Sequence, residues 1–315
     1  MLSLGLRCAL ISGLLLYGCC SLALASTDPD DAAYYLYTNA SPSVPKRIYT
    51  NDLKSLQTSL FNVALPTKII IHGWTTSYNE IPNPQLRAAY QSRGPHNIIS
   101  MDWSEIADMN YVMARPYVFG LGASCARFVR FLIKSAGLDP KRLVVIGHSM
   151  GAHIAGHCGK ELQLLSDNKQ RLGAIVALDA ALPLFTYANK ESRVADTDAD
   201  FVVSLHTNAM FKGQIGPVGH ADFYANGGAN QPGCGVDPTG SCSHGRCVDL
   251  YAEAVQGVST FEPYYTCADY FDLILSLGKC KALNGLVRLG DPLDVPQVKG
   301  IFTFETKDDS PYGPV

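Results

Sequence analysis

Short, uninterrupted apolar runs alternate with longer amphipathic stretches from about residue 68 onward. The apolar runs are rich in Ile, Val and Leu and occupy residues 69–71, 98–99, 143–146, 175–178 and 201–205. A strand covered on both faces shows this continuous pattern, whereas a strand with one solvated face alternates apolar and polar positions. The runs therefore predict buried and mostly parallel strands.

Helical spacing of apolar residues separates these runs. Residues 123–133 place Phe128 and Phe131 on one side, and residues 152–165 and 248–255 follow a helical pattern as well. Strands that alternate with helices predict the α/β class: a mostly parallel, doubly wound sheet with helices on both faces. Ligands of such sheets bind at the carboxyl ends of the strands. Candidate site residues are therefore sought at that edge.

The two ends of the chain carry separate signals. Arg7 is followed by a short apolar stretch and the small-x-small sequence of residues 23–25, which predicts a secretory signal peptide over residues 1–25. A membrane anchor is the alternative, but Ser and Gly interrupt the apolar stretch. We expect a secreted, extracellular single domain of residues 26–315 with no transmembrane segment. Residues 301–304 predict a last strand or, equally, a β-hairpin element at the sheet edge.

Composition and charge narrow the class of protein. Of 315 residues, 47% are hydrophobic and 17% are charged, which is typical of a folded globular chain and excludes disorder and a coiled coil. The 25 Lys and Arg residues nearly balance the 28 Asp and Glu residues, giving a net charge of −3. No basic run occurs, so a nucleic-acid partner is not expected.

Cysteine usage agrees with an oxidising compartment. Ten Cys residues occur, and the seven that follow the predicted signal peptide are Cys125, Cys158, Cys234, Cys242, Cys247, Cys267 and Cys280. Five of them cluster in the last third, where disulfides stabilise loops most. Seven is odd, so at least one stays a thiol or pairs between molecules. Cys125 and Cys158 lie in apolar, helix-like stretches and are interpreted as small buried hydrophobes.

The most specific chemical motif is GHSMG at residues 147–151, between a predicted buried strand and a predicted helix. That context is typical of a nucleophile elbow, a strained turn that lifts the Ser149 hydroxyl above the end of the strand. The alternative is a tight turn in which the serine only caps the helix. The side chain of His148 points away from its neighbour, so we assign it a structural role.

A serine nucleophile needs a base and a carboxylate that orients the base. In hydrolases of this topology the chain order is serine, acid, histidine. Asp179 directly follows a buried strand and is the best candidate acid. The alternatives, Asp196, Asp198 and Asp200, precede their strand and are expected at the opposite end of the sheet.

The base must come late in the chain and reach the strand ends. His244 fits, because it lies between Cys242 and the predicted last helix, on a loop that a disulfide would hold. His206 and His220 are alternatives that we expect to bond backbone groups instead. Zinc explains this region poorly, since the chain has no CxxC pair.

A tetrahedral intermediate needs two preorganised N–H donors. The amide of Met150, directly after the nucleophile, supplies one. The turn after the first predicted strand supplies the other from Trp74, whose ring would line the acyl pocket. The alternative is that Trp74 belongs to the core.

Together these stretches resemble the animal pancreatic-lipase family of α/β-hydrolases. The matching stretches are residues 69–74 (IIIHGW), 101–103 (MDW), 145–156 (VIGHSMGAHIAG), 177–185 (ALDAALPLF), 198–207 (DADFVVSLHT), 219–228 (GHADFYANGG), 232–234 (PGC) and 242–244 (CSH). The resemblance implies an α/β-hydrolase fold with the catalytic residues Ser149, Asp179 and His244. It also implies an oxyanion hole formed by Trp74 and Met150.

Departures from the family pattern affect the expected substrate. The resemblance implies a lid bounded by a Cys234–Cys242 disulfide, and only seven residues lie between these two cysteines. A short lid resembles the phospholipase A1 branch, including insect venom enzymes. A second disulfide is expected between Cys267 and Cys280. The chain is expected to lack the C-terminal β-sandwich of full-length pancreatic lipases.

Two local substitutions concern the acid and a metal. The family's acid is usually followed by Pro, and here Ala180 follows Asp179. The family's structural calcium site lies near residues 193–198. Arg193 and Asp198 match it, but Ala195 replaces an acidic ligand, so no metal and no cofactor are expected.

The sequence thus predicts a secreted serine esterase that acts on lipid at a membrane or micelle surface. The first hypothesis is phospholipase A1-type hydrolysis of the sn-1 acyl ester of phospholipids. The second keeps the same triad but acts on triacylglycerols, other neutral acylglycerols or galactolipids. The third is a non-catalytic lipid-binding protein similar to the yolk-protein relatives of this family.

Overall fold

The structure is a computed structural model that describes residues 32–166, 169–283, 285 and 287–313. The predicted signal peptide, residues 1–25, lies outside the described residues. Within the described ranges, no helix combines the length and the apolar character that crossing a membrane requires.

A twisted sheet of eleven strands organises the described part of the chain. The strands in chain order are β1 Ala33–Thr38, β2 Ser41–Ile48, β3 Thr67–Ile71, β4 Asn97–Asp102, β5 Leu143–His148, β6 Leu172–Leu178, β7 Ala199–His206, β8 Ala221–Ala225, β9 Tyr264–Cys267, β10 Lys281–Leu283 and β11 Gly300–Phe304. Their spatial order is β10-β9-β11-β8-β7-β6-β5-β3-β4-β1-β2. The seven central strands, from β11 to β4, are parallel.

Helices cover both faces of this sheet. They are α1 Leu53–Gln57, α2 Asn83–Ser92, α3 Ser104–Ala107, α4 Tyr111–Ala114, α5 Tyr117–Ala136, α6 Met150–Leu165, α7 Ser241–Gln256 and α8 Tyr270–Leu275. Alternate residues of β3 point to opposite faces: Ile69 and Ile71 pack in the core that contains α5 and α6, and Ile70 packs in the core with α2 and α7. The predicted α/β-hydrolase class, with helices on both faces, is confirmed.

The sheet also extends beyond the elements that the sequence predicted. The antiparallel β1–β2 hairpin joins the sheet through β4. At the other end, β11 lies between β8 and β9, so residues 301–304 form an interior strand that pairs on both sides. The β-hairpin alternative for that segment is therefore wrong.

Two helices begin earlier than the apolar periodicity indicated. The helix predicted over residues 123–133 begins at Tyr117, and the helix predicted over residues 248–255 begins at Ser241. Gly120, Gly122 and Gly245 lie inside these helices, where packing outweighs the low helix propensity of glycine. Because the second of these helices begins at Ser241, it contains His244.

Candidate active site

Ser149 occupies the turn between β5 and α6 with φ 57° and ψ −121°. This left-handed backbone is strained for a residue with a Cβ and is held by neighbouring backbone hydrogen bonds. The Ser149 amide donates to the carbonyl of Leu178 at 3.0 Å, and the amide of Ala181 donates to the Ser149 carbonyl at 3.2 Å. The turn at Ser149 therefore has the geometry expected of a nucleophile elbow and is fixed to the end of β6.

The flanking glycines let the elbow form. A Cβ at Gly147 would lie 2.1 Å from the carbonyl oxygen of Gly151, and a Cβ at Gly151 would lie 2.5 Å from that of His72. Both contacts are far shorter than van der Waals distance. Any larger side chain would therefore push α6 away from β5 or β3.

Asp179 follows β6 directly, is fully buried and has φ 43°. Its Oδ1 accepts hydrogen bonds from the amides of Thr207 at 2.8 Å and Asn208 at 3.0 Å. These residues follow β7, the neighbouring parallel strand. Two backbone donors thus orient the carboxylate and leave Oδ2 for a third partner.

That partner is His244, whose Nδ1 donates to Asp179 Oδ2 at 2.5 Å. The sequence expectation of a loop position was wrong: His244 lies in the first turn of α7, after Gly240 in the left-handed conformation. Asp237 accepts a hydrogen bond from the amide of Ser243 at 2.9 Å at this helix start. Cys234 and Cys242 form a disulfide that closes the same segment. The short segment therefore anchors the start of the helix that carries His244.

Ser149 and His244 line one pocket of about 270 Å³ at the carboxyl ends of the strands. Each residue is 9% exposed. Within the described ranges, the Ser149 hydroxyl makes no hydrogen bond. Catalytic hydrogen bonds in unliganded enzymes are often long and tighten when substrate binds. The three residues proposed from sequence as nucleophile, acid and base are thus gathered at one edge of the sheet.

Of the two residues expected to supply oxyanion donors, Met150 follows Ser149 in the chain and Trp74 lines the same pocket as Ser149. Met150 is the first residue of α6 and is fully buried. A Cβ at Gly73 would lie 3.2 Å from Ser149 Cβ, so the loop that leads into Trp74 passes directly against the serine. The Trp74 ring is 36% exposed and its Nε1 donates to the Met109 carbonyl at 2.7 Å. Trp74 lines the pocket and is not a core residue.

A family profile described as Lipase matches residues 21–290. The chain belongs to the lipase family. Among curated relatives of this lipase-family chain, pancreatic lipase-related protein 2 of Cavia porcellus is 34% identical over 245 residues, covering 75% of this chain and 54% of that protein. Hepatic triacylglycerol lipase of Homo sapiens is 32% identical over 272 residues, covering 77% and 54%. The chain spans about half the length of these relatives.

Solved structures show a more distant likeness. A thermophilic esterase from Thermogutta terrifontis with butyrate bound is 15% identical, with a TM-score of 0.35, and the match covers 59% of this chain and 70% of that chain.

The alternative acids and bases of the lipase-family chain lie elsewhere. Asp196 and Asp200 form surface ion pairs near the amino end of β7, with Lys190 and with Lys141. His206 donates from Nε2 to Asp222 at 2.9 Å, in a second buried Asp–His pair outside the pocket. His220 Nδ1 accepts the amide of Val202 at 3.0 Å, and Asp198 bonds Lys160.

Three pocket residues were not recognised from sequence as parts of the site. His148 Nε2 donates to the carbonyl oxygen of His244 at 3.1 Å, and burial lowers the pKa of His148 to about 3. This neutral ring positions His244 without adding charge. Lys212 and Tyr111 line the pocket from loops and a short helix, where apolar periodicity gives no signal. Burial lowers the pKa of Lys212.

The calcium site that the family resemblance implies does not fit these residues. The Lys160 ammonium bonds Asp198 and lies 3.1 Å from the Arg193 carbonyl oxygen, where a divalent cation would need oxygen ligands. Ala195 offers no side-chain oxygen. Elsewhere in the described chain, the two clusters of potential metal ligands each contain both sulfurs of a disulfide, Cys234–Cys242 or Cys267–Cys280. A disulfide sulfur is not the thiolate that binds metals.

Proposed function

We propose that this protein is a serine carboxylic-ester hydrolase that acts on lipids. The observation that carries the proposal is the Asp179–His244 hydrogen bond, made inside the pocket that Ser149 also lines. Membership of the lipase family supports the same activity. The residues are contributed by the ends of β5 and β6 and by the first turn of α7, which are far apart in sequence.

In the proposed mechanism, Ser149 Oγ attacks the ester carbonyl while His244 Nε2 takes the hydroxyl proton. Asp179 holds the proton on Nδ1 and stabilises the imidazolium. The amides of Trp74 and Met150 bind the negative oxygen of the tetrahedral intermediate. His244 then protonates the leaving alcohol, and water, deprotonated by His244, releases the fatty acid from the acyl-enzyme.

Phospholipids, cleaved at the sn-1 ester, are the proposed substrates. The segment between Cys234 and Cys242 has seven residues and is too short to form an apolar cover over the pocket. Among the described residues that line the pocket, Lys212 is the only Lys or Arg, and it donates to Ser241 Oγ at 2.7 Å. An ammonium at the rim is suited to a lipid phosphate. Neutral acylglycerols or galactolipids, cleaved by the same triad, are the alternative substrates.

A comparison of two lipids tests the activity and the substrate together. The protein is expected to hydrolyse phosphatidylcholine vesicles faster than a triolein emulsion, and Ser149→Ala is expected to hydrolyse neither. Lys212→Met is expected to lower phosphatidylcholine hydrolysis about tenfold, the scale of one charge-assisted hydrogen bond, without changing hydrolysis of a soluble uncharged ester. Faster hydrolysis of triolein would favour the neutral-lipid alternative. Hydrolysis of no ester by the folded protein would favour lipid binding without turnover.

We also propose that the protein acts outside the cell, at a lipid surface, after removal of residues 1–25. Exposed apolar side chains flank the pocket residues along the chain: Met109 and Val112 beside Tyr111, Leu184 after Pro183, and Phe211 before Lys212. Such an apolar rim suits contact with a lipid surface. The secreted chain is expected to begin at Ser26, which amino-terminal sequencing checks. A secreted chain that retains residues 1–25 would contradict cleavage.

A further inference from the structure

Lys160 lies on α6, eleven positions after Ser149, and its ammonium meets the segment that leads into β7. The Nζ atom forms an ion pair with Asp198 and lies 3.1 Å from the carbonyl oxygen of Arg193. The Lys160 side chain is 14% exposed and that of Asp198 is fully buried. A cation is therefore already present where the carboxylate and the carbonyl converge.

The other polar groups of this segment have their own partners. Asp198 Oδ2 accepts the amide of Ala195 at 2.8 Å, and its Oδ1 accepts the Thr197 hydroxyl at 3.2 Å. The Arg193 guanidinium turns away and donates to the carbonyls of Tyr187 and Val194. Within the described chain, Lys160 is the only cation bonded to the Asp198 carboxylate.

Close packing brings α6 against the segment that contains Asp198. A Cβ at Gly156 would lie 2.8 Å from Asp198 Oδ2, and a Cβ at Gly159 would lie 2.0 Å from the Asp198 carbonyl oxygen. The helix therefore lies directly against the segment. Calcium takes six to eight oxygen ligands, whereas an ammonium has only three protons to donate. Two of those protons already have acceptors here.

We propose that the Lys160 ammonium is a built-in cation that replaces a structural divalent metal in this chain. It joins α6, which begins after Ser149, to β7, whose end supplies the Thr207 amide to Asp179. The fold around the site is therefore independent of calcium. This inference does not depend on the proposed esterase activity.

Thermal unfolding of the whole protein tests the proposal. The unfolding midpoint of the wild type is expected to be equal in millimolar calcium chloride and in EDTA. Lys160→Met leaves a buried carboxylate unpaired and is expected to lower the midpoint by about 5 °C or more. Lys160→Arg, which keeps the charge, is expected to lose less than half as much. Lys141→Met, which breaks the exposed pair with Asp200, is the control and is expected to change the midpoint by about 1 °C.

Three results would overturn this role of Lys160. A rise in the wild-type midpoint with calcium would show that a metal is bound. A loss in Lys160→Met no larger than in Lys141→Met would show that the cation contributes nothing. If Lys160→Met does not fold, the Arg variant decides, because failure of both variants would show that the charge is not what stabilises the segment.

A separate observation concerns two cysteines that the sequence suggested were only small buried hydrophobes. Cys125 on α5 and Cys158 on α6 are fully buried, and their Sγ atoms lie 2.6 Å apart. That separation is nearer to a disulfide bond of about 2.05 Å than to the contact of two non-bonded sulfurs. The two helices thus hold the thiols at a distance from which a bond can form.

We infer that Cys125 and Cys158 form a third disulfide, which links α5 to α6. The step is thiol–disulfide exchange: the two thiols lose two protons and two electrons, and a disulfide-bearing oxidant is reduced to two thiols. Cys247, whose Sγ donates to the His244 carbonyl at 3.2 Å, remains the odd thiol.

Alkylation of the denatured, unreduced secreted protein tests this disulfide. Peptide mapping is expected to find the alkyl group on Cys247 alone, with the Cys125 and Cys158 peptides linked until reduction. The Cys234–Cys242 disulfide is the internal control for an oxidised pair. Alkylation of Cys125 and Cys158 without reduction, while the control pair stays linked, would contradict the inference.

Discussion

At the scale of single residues, the site depends on two strained positions that follow neighbouring strands. Ser149 has φ 57° and Asp179 has φ 43°, and each is held by hydrogen bonds to the adjacent strand ends. Sequence identified Ser149 from the GHSMG motif and Asp179 because it directly follows a continuous apolar run. The sequence around Lys160 and Lys212 did not indicate their roles, because their partners Asp198 and Ser241 are distant in the chain.

The two buried Asp–His pairs provide a matched test of the acid. In Asp179→Asn, an amide replaces the carboxylate that orients His244, so kcat is expected to fall about 10,000-fold while the unfolding midpoint changes little. In Asp222→Asn, the pair with His206 is weakened outside the pocket. That control is expected to lower the midpoint and leave kcat of the folded protein nearly unchanged. Equal losses of kcat in the two variants would contradict the role assigned to Asp179.

At the scale of elements, β5, the elbow and α6 form a unit whose spacing is set by glycine. The elbow was predictable because GHSMG has a recognisable strand before it and a helix after it. The start of α7 was not predictable, since residues 241–247 contain poor helix formers and Gly245. The disulfide and the Asp237 contact hold that turn, and both depend on the folded structure.

Two glycine substitutions test the packing of this unit. Gly151→Ala would press a methyl group against the carbonyls of Ile71 and His72, so the free energy of unfolding is expected to fall by about 2 kcal/mol and activity to fall with it. Gly245→Ala meets no atom within 4 Å and is expected to gain about 0.5–1 kcal/mol from helix propensity. Urea unfolding measures both changes. An unchanged Gly151→Ala would show that the close approach of α6 to β3 is not required.

At the scale of the whole molecule, buried histidines give the fold its pH dependence. Burial lowers the pKa of His148 and His153 to about 3 and that of His157 to about 4, whereas it raises the pKa of Asp198 to about 6. The unfolded chain binds protons at histidine below about pH 6.5. In the folded chain, His148, His153 and His157 bind protons only at a lower pH, so acid favours unfolding through these three groups. Asp198 has the opposite effect on the free energy of unfolding. As the pH falls, its carboxylate binds a proton in the folded chain before it does so in the unfolded chain, so acid favours folding through this group.

For these four groups together, we expect the unfolded chain to hold about two more protons than the folded chain near pH 5. The free energy of unfolding should therefore be highest above about pH 6.5 and fall as the pH decreases toward 4. Urea unfolding across this range measures the slope. His153→Gln is expected to reduce the slope by about one proton. A free energy that stays constant or rises on acidification would show that these rings are protonated in the folded state.

The architecture of the whole molecule was predictable where strands are buried on both faces and alternate with helices. The β1–β2 hairpin, the β9–β10 pair and the interior strand β8 were not recognised. The ADFYA sequence of β8 contains Asp222 and has no continuous apolar run. Edge strands have one uncovered side and carry no continuous apolar run, as the SPSVPKRI sequence of β2 illustrates. The central strands with continuous apolar runs therefore indicated the fold class, whereas β8 and the additions at the sheet ends required the structure.

Covalent labelling with a lipid-like organophosphonate tests the central claim most directly. We expect one phosphonate per folded molecule, attached to Ser149 in the peptide map, with no labelling of Ser149→Ala and much slower labelling of Asp179→Asn. A folded wild-type protein that is not labelled, or is labelled at another serine while Ser149 stays free, would contradict the account.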